Sequence, residues 1–153
     1  MTTKITTVYD RIRTELATLF PNKKEIPNAY NLEDNINNIL VDSYGLQLGD
    51  ATLSEFDVYR TTHVNQDFTV VLTREIARID GDNSVIHTDI KAFAEDAVSI
   101  RKTFLASDEL SISNSIIKVE HNNTTAIETI RSGKLNFLKL SITFGFTIAE
   151  DLT

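Results

Sequence analysis

The feature that most constrains this chain is its last long segment. From Lys134 to Ile148, the residues Leu138, Leu140, Ile142, Phe144, Phe146 and Ile148 alternate with Lys139, Ser141, Thr143, Gly145 and Thr147. A period of two over that length reads as a β-strand with one apolar and one wet face. Such a strand needs paired neighbours and a layer covering its apolar side.

Two segments have the periodicity to supply that layer. Ile5, Val8, Ile12, Leu16 and Leu19 recur at steps of three and four, and Phe20-Pro21 stops the helix they imply. A second helix is expected from Thr88 to Leu105, with Ile90, Phe93, Ala97, Ile100 and Phe104 inward. Thr88 suits its N-cap and Asp89 the positive end of its dipole.

Further strands are expected at Tyr44–Leu48, fenced by Gly49-Asp50, at Phe56–Thr62, at Asp67–Ala77 and at Ile116–His121. A turn at His63–Gln66 would join the middle two. Arg74 interrupts an apolar face and predicts that its strand leaves the core there. Asp80-Gly81-Asp82-Asn83 has the composition of a turn. Residues 21–42, which hold both prolines, and Asn122–Gly133 read as long polar loops. The expected fold is α+β: a mainly antiparallel sheet with two amphipathic helices packed on one face, in a single domain spanning residues 1–153. A chain of that length can bury about 70% of its unfolded surface, enough for a core without covalent staples.

The residue supply excludes many chemistries. There is no cysteine, which removes disulfides, zinc–thiolate sites and thiol nucleophiles. His63, His87 and His121 lack partners at metal-ligand spacing, and Asp80-Gly81-Asp82-Asn83-Ser84 lacks the closing Glu of a calcium loop. No phosphate loop, dinucleotide fingerprint or nucleophile elbow is present. The acid pairs Glu33-Asp34, Glu95-Asp96 and Asp108-Glu109 read as solvated charge. The expectation is therefore no catalytic residue, no cofactor and no metal. No stretch approaches the ~20 apolar residues of a membrane span. The first residues enter an amphipathic pattern without a signal core, so synthesis and folding in a host cytoplasm are expected.

The charge is unevenly placed. The chain has 22 acids, 15 bases and a formal net charge of −7. Between Glu25 and Tyr59 there is no Lys or Arg, while Glu25, Glu33, Asp34, Asp42, Asp50, Glu55 and Asp57 fall there. Those seven acids account for the whole excess. An acidic chain is poorly suited to gripping phosphate backbones.

Layout and several stretches resemble the tail-terminator (tail-completion) proteins of bacteriophages. The stretches are Ile26 to Asn35, Ser43 to Gly49, Phe68 to Arg74 and the closing strand from Lys134. The resemblance implies a structural virion protein with no enzymatic activity. Its subunits would form a ring, commonly a hexamer, that caps the tail tube and joins it to the head-side connector. The implied partners are copies of itself, the tail tube protein and the connector protein, with DNA passing through unbound and no membrane contact. The implied location is the neck or tail of the virion. Asp42, Asp50, Glu55 and Asp57 are then candidates for channel-facing acids, since an acidic lumen repels a passing duplex. The alternatives are another neck or tail-tube-like ring subunit, or a non-enzymatic module binding a small ligand in the sheet–helix crevice.

Overall fold

The computed structural model describes residues 4–26, 42–56, 61–76, 83–106, 116–132 and 135–151. In chain order the elements are α1 (Lys4–Leu19), β1 (Lys24–Glu25), β2 (Asp42–Phe56), β3 (Thr61–Ile76), α2 (Asn83–Leu105), β4 (Ile116–Thr124), β5 (Glu128–Ser132) and β6 (Leu135–Asp151). The strands form one six-stranded sheet in the order β1-β2-β3-β6-β4, with β5 also paired to β6. Every pairing is antiparallel except the short parallel one between β1 and β2. The class is α+β.

The alternating segment becomes β6, the centre of this sheet. On one side it pairs with β3 along its whole length, from Asn136 opposite Ile76 to Asp151 opposite Thr61. On the other side β4 pairs along Ile142–Ile148, and β5 along Leu135–Lys139. Thr125 bridges the gap between those two: its N–H donates to the Ser141 carbonyl at 2.9 Å, and its hydroxyl accepts from the Ser141 N–H at 3.0 Å. Asn122–Gly133 is thus mostly strand rather than a polar loop. Its polar residues suit the edge of a sheet, which needs no two-sided apolar pattern.

Leu138, Leu140, Ile142, Phe144, Phe146 and Ile148 are all buried, as the alternation predicts. They join one cluster with Tyr44 and Leu46 of β2, with Phe68, Val70 and Leu72 of β3, and with both helices. From α1 come Val8, Ile12 and Leu16, and from α2 Phe93, Ala97, Ile100 and Phe104. Rings mark the seams. Tyr9 lies 6.4 Å from Phe68, Phe68 meets Phe146 edge-on at 5.1 Å, and Phe104 lies 4.8 Å from Phe144. Aromatic pairs at these separations add to the area they bury.

Three expectations fail in detail. First, α2 begins at Asn83, so Thr88 stands inside the helix and not at its N-terminus. Asp89 takes the inward position, 7% exposed, while Ile90 is pushed out to 37%. Second, β2 runs straight through Gly49-Asp50, which form a bulge between Leu48 and Ala51 instead of a fence. The bulge is held from inside: the Gln66 side-chain amide donates to the carbonyls of Gly49 at 2.9 Å and Asp50 at 3.3 Å. Third, His63–Gln66 belong to β3, with Val64 and Gln66 buried and His63 and Asn65 on the wetter face. The expected strand at Phe56–Thr62 is therefore the end of β2 and the start of β3. Of the turn expected at Asp80-Gly81-Asp82-Asn83, Asn83 is the first residue of α2, while the other three, like the acid Asp57, lie outside the described residues.

Candidate functional site

The charged groups fall into two kinds, those spent inside the fold and those facing outward. At one end of the sheet, ion pairs tie β2, β3, α2 and the turn between α1 and β1. Arg74 of β3 reaches Asp89 of α2, Nε to Oδ1 at 2.8 Å, and lies 3.8 Å from Asp42 of β2. Lys23, between α1 and β1, places its ammonium 3.4 Å from Asp42 and 3.2 Å from Asp96 of α2. The Lys23 and Asp89 side chains are each only 9% exposed. The Lys23 ammonium also stands 5.4 Å from the Phe20 ring centroid, within cation–π range. Arg74 therefore does not mark a strand leaving the core. It stays in β3 and answers the acid that α2 turns inward.

A second tie fixes β1 to α1. The Arg13 guanidinium donates two hydrogen bonds to the Glu25 carboxylate, at 2.8 and 3.0 Å. The hydrogen bond to Glu25 and its charge raise the Arg13 pKa above its ordinary value.

The four candidate acids are not gathered together. Asp42 is already engaged with Lys23 and Arg74. Asp50 stands exposed in the bulge. Glu55 lies further along β2, opposite His63 in register, and Asp57 is outside the described residues. Eight residues of strand separate Asp42 from Asp50, roughly 26 Å at ~3.3 Å per residue. That is about three screening lengths at physiological salt, so the two do not act as one site.

The other face of the sheet has two parts. Around Ser43, Val71, Thr73 and Phe137 it is buried, with the Ser43 and Thr73 hydroxyls lacking a hydrogen-bond partner among the described residues. From Asn65 to Thr69 it is polar and cross-linked by side-chain hydrogen bonds. Thr69 and Thr143 share a hydrogen bond at 2.9 Å, and Thr147 donates to Asn65 at 2.9 Å. Asn122 of β4 donates to Asp67 of β3 at 3.0 Å, passing over Gly145 of β6. A Cβ at Gly145 would sit 2.9 Å from the Asn122 amide nitrogen, so glycine is what opens this crossing. His63, Asn65, Asp67, Lys118, Glu120, Asn122, Gly145 and Thr147 line a shallow groove there. Among the described residues no three His, Asp or Glu side chains come together in a way that could hold a metal ion. No described helix is long and apolar enough to cross a membrane.

The outward surface has two further features that sequence reading missed. β1 pairs only with Ser43 and Tyr44, so beyond them the outer edge of β2 has no strand partner among the described residues. Unpaired edges are templates for pairing with another chain. The large apolar side chains exposed among the described residues lie only on β2 (Leu48, Leu53) and α2 (Ile90, Val98, Leu105).

No protein-family model matches the chain, and no curated protein sequence matches it. Among solved structures it is similar to a chain of the virion of a native gene transfer agent (GTA) particle, with a TM-score of 0.50. The alignment covers 93% of this chain and 91% of that one at 14% identity. At that identity the likeness is one of fold.

Proposed function

We propose that this chain is a structural, non-enzymatic virion protein, and more narrowly a subunit of the ring that terminates a phage tail tube and joins it to the head-side connector. The observation that carries the reading is the fold shared, over nearly the full length of both chains, with a component of a phage-like virion particle. Function lives in sites carried by a fold, and here the sites are surfaces. The exposed apolar residues on two separate elements, Leu48 and Leu53 of β2 and Ile90, Val98 and Leu105 of α2, suit contacts between subunits. We take the two helices as one layer over a single face of the sheet. In support, Tyr9 of α1 meets Phe68 and Phe104 of α2 meets Phe144, two sheet residues that are register partners.

In the ring, copies of this chain would contact each other, the tube protein and the connector, with DNA passing through the channel. Asp42, Asp50, Glu55 and Asp57 are proposed to line or rim that channel. The weight falls on the last three, because Asp42 already answers two cations. The binding-module alternative has less support: the space between sheet and helices is filled by Phe68, Phe104, Phe144 and Phe146.

Mass by light scattering and direct imaging of the purified chain test the ring. A chain that stays monomeric at every concentration removes it. Mass spectrometry of purified particles tests the virion reading, and absence of the chain from them would end it. Binding to the ends of tail tubes, rather than copolymerisation along them, separates a terminator from a tube-like subunit.

A further inference from the structure

We propose that neighbouring copies of this chain join head to tail, with the outer half of β2 of one copy lying on the outer face of α2 of the next. The proposal rests on the ring reading above and specifies the contact that would build it.

The first half of the contact is made by the bulge. Leu48, Ala51 and Leu53 stand opposite Phe68, Gln66 and Val64 of β3. Register partners project to the same side of a sheet, and those three β3 residues are all buried. Strict alternation from Leu48 would put residue 53 on the opposite face. The extra residue at Gly49-Asp50 reverses the parity and brings Leu53 back beside Leu48. Leu48 is nevertheless 42% exposed and Leu53 65%. This part of β2 thus carries an apolar row that the chain's own helices leave exposed.

The second half is on α2. Ile90, Ala94, Val98 and Leu105 recur at steps of four, four and seven, which places them on one helical stripe. That stripe flanks the buried one formed by Phe93, Ala97, Ile100 and Phe104. Its large members are 37%, 40% and 46% exposed, and Ala94 and Val98, with Glu95 and Ser99, line a shallow depression.

Charge selects the pairing. By sequence, the stretch from Ser43 to Tyr59 contains Asp50, Glu55 and Asp57 and no Lys or Arg, and Asp50 stands exposed between Leu48 and Leu53. On α2, Asp89 and Asp96 are consumed by Arg74 and Lys23. Lys91 and Lys102 remain exposed on the outside against the single exposed acid Glu95. An acidic apolar arm therefore meets a basic apolar stripe. Because the two surfaces differ, the contact is heterologous, and a heterologous contact that closes makes a ring. Asp50 can answer a neighbour's lysine or face the channel, and the experiments below separate these roles.

The absence of native cysteine makes the test direct. Leu53→Cys and Val98→Cys both sit on exposed positions, so the fold should accept them. Under oxidation, the doubly substituted chain should give a ladder of bands ending at the ring number. A mixture of the two single variants should give dimers containing one of each, and either variant alone should stay uncrosslinked. Equal crosslinking of one single variant with itself would mean a two-fold contact and overturn the proposal. A ring seen by mass and imaging, with no crosslink between positions 53 and 98, would overturn it while leaving the ring intact. A monomer at every concentration would remove the ring itself. In the charge arm, Lys91→Glu with Lys102→Glu should raise the concentration for half-assembly roughly tenfold, and adding Asp50→Lys should recover part of it. Unchanged assembly in both charge variants would return Asp50 to the channel and count against the contact.

Discussion

β6 and β2 are both long strands, of 17 and 15 residues, and they occupy opposite situations. β6 has a strand on each side for most of its length, and its apolar residues belong to the core cluster that residues of both helices join. Every second residue from Leu138 to Ile148 is buried, and the sequence alternates accordingly. Among the described residues β2 has strand partners on both sides only at Ser43 and Tyr44, carries a bulge, and is exposed from Leu48 to Leu53. Its sequence shows a short strand, a break and an acidic stretch. Where neighbours impose burial on both edges and one face, the pattern in the chain is regular. Where that cover is missing among the described residues, as along residues 48–53, the pattern is broken.

The largest effect should fall on the β6 side of that comparison. Phe144 is fully buried and packs against Phe104 and His121, with ring centroids 4.8 and 5.8 Å away. Phe144→Ala should cost about 3–5 kcal/mol, a large part of the stability of a domain this size. Chemical or thermal denaturation reads it directly. An unchanged melting temperature would mean that the register assigned to β6 is wrong.

Next in size is the ion-paired end of the sheet. Arg74→Met strands Asp89, and Asp89→Leu strands Arg74; each should cost about 2–3 kcal/mol. The double variant should lose clearly less than the sum, because neither leaves an unpaired charge. Strict additivity in a double-mutant cycle would show that the pair is only a surface contact.

These two regions also show what was legible in the chain. The helix stripe Val8, Ile12, Leu16 and the β6 alternation were readable because burial follows one period without interruption. α2 was read one position out of phase at its start: Ile90 looked like core, and Asp89 looked like a dipole partner. The structure reverses them because Arg74, two positions beyond the core residue Leu72, supplies the charge that lets an acid turn inward. Such a pairing links residues 15 apart across a segment whose composition gives no hint of it. Gly49-Asp50 has the composition of a turn, and only the buried Gln66 amide shows that it is a bulge. Among the candidate site residues, charge was visible but partners were not. Asp42 looked as free as Asp50, and the exposed stripe on α2 was hidden by the stronger inward one.

A smaller effect should test the bulge itself. Gln66 is 3% exposed and its amide serves the carbonyls of Gly49, Asp50 and Asp67. Gln66→Leu should cost about 1–2 kcal/mol, because those carbonyls lose a donor that the strand geometry cannot replace. Hydrogen exchange should quicken around residues 48–53 while β6 keeps its protection. Equal loss of protection in β6 would mean that β2 and β6 open as one unit, and the contrast between them would fail.

The smallest effect on folding should come from Leu53, and for that reason it separates assembly from stability. The side chain is 65% exposed, so Leu53→Ser removes little buried surface and should change unfolding free energy by no more than about 0.5 kcal/mol. The same change at Leu140, 4% exposed in β6, puts a hydroxyl into the core and should cost several times more. If the outer half of β2 serves a neighbouring copy, the order reverses when association is measured. Leu53→Ser then weakens assembly strongly, because an exposed leucine that becomes buried on docking carries its apolar area into the contact. Leu140→Ser weakens assembly only as far as it unfolds the subunit. Sedimentation of both variants at concentrations where both are folded decides it. Leu53→Ser assembling like the unmodified chain would mean that the exposed row on β2 is ordinary surface, and that the irregular strand owes its shape to the bulge alone.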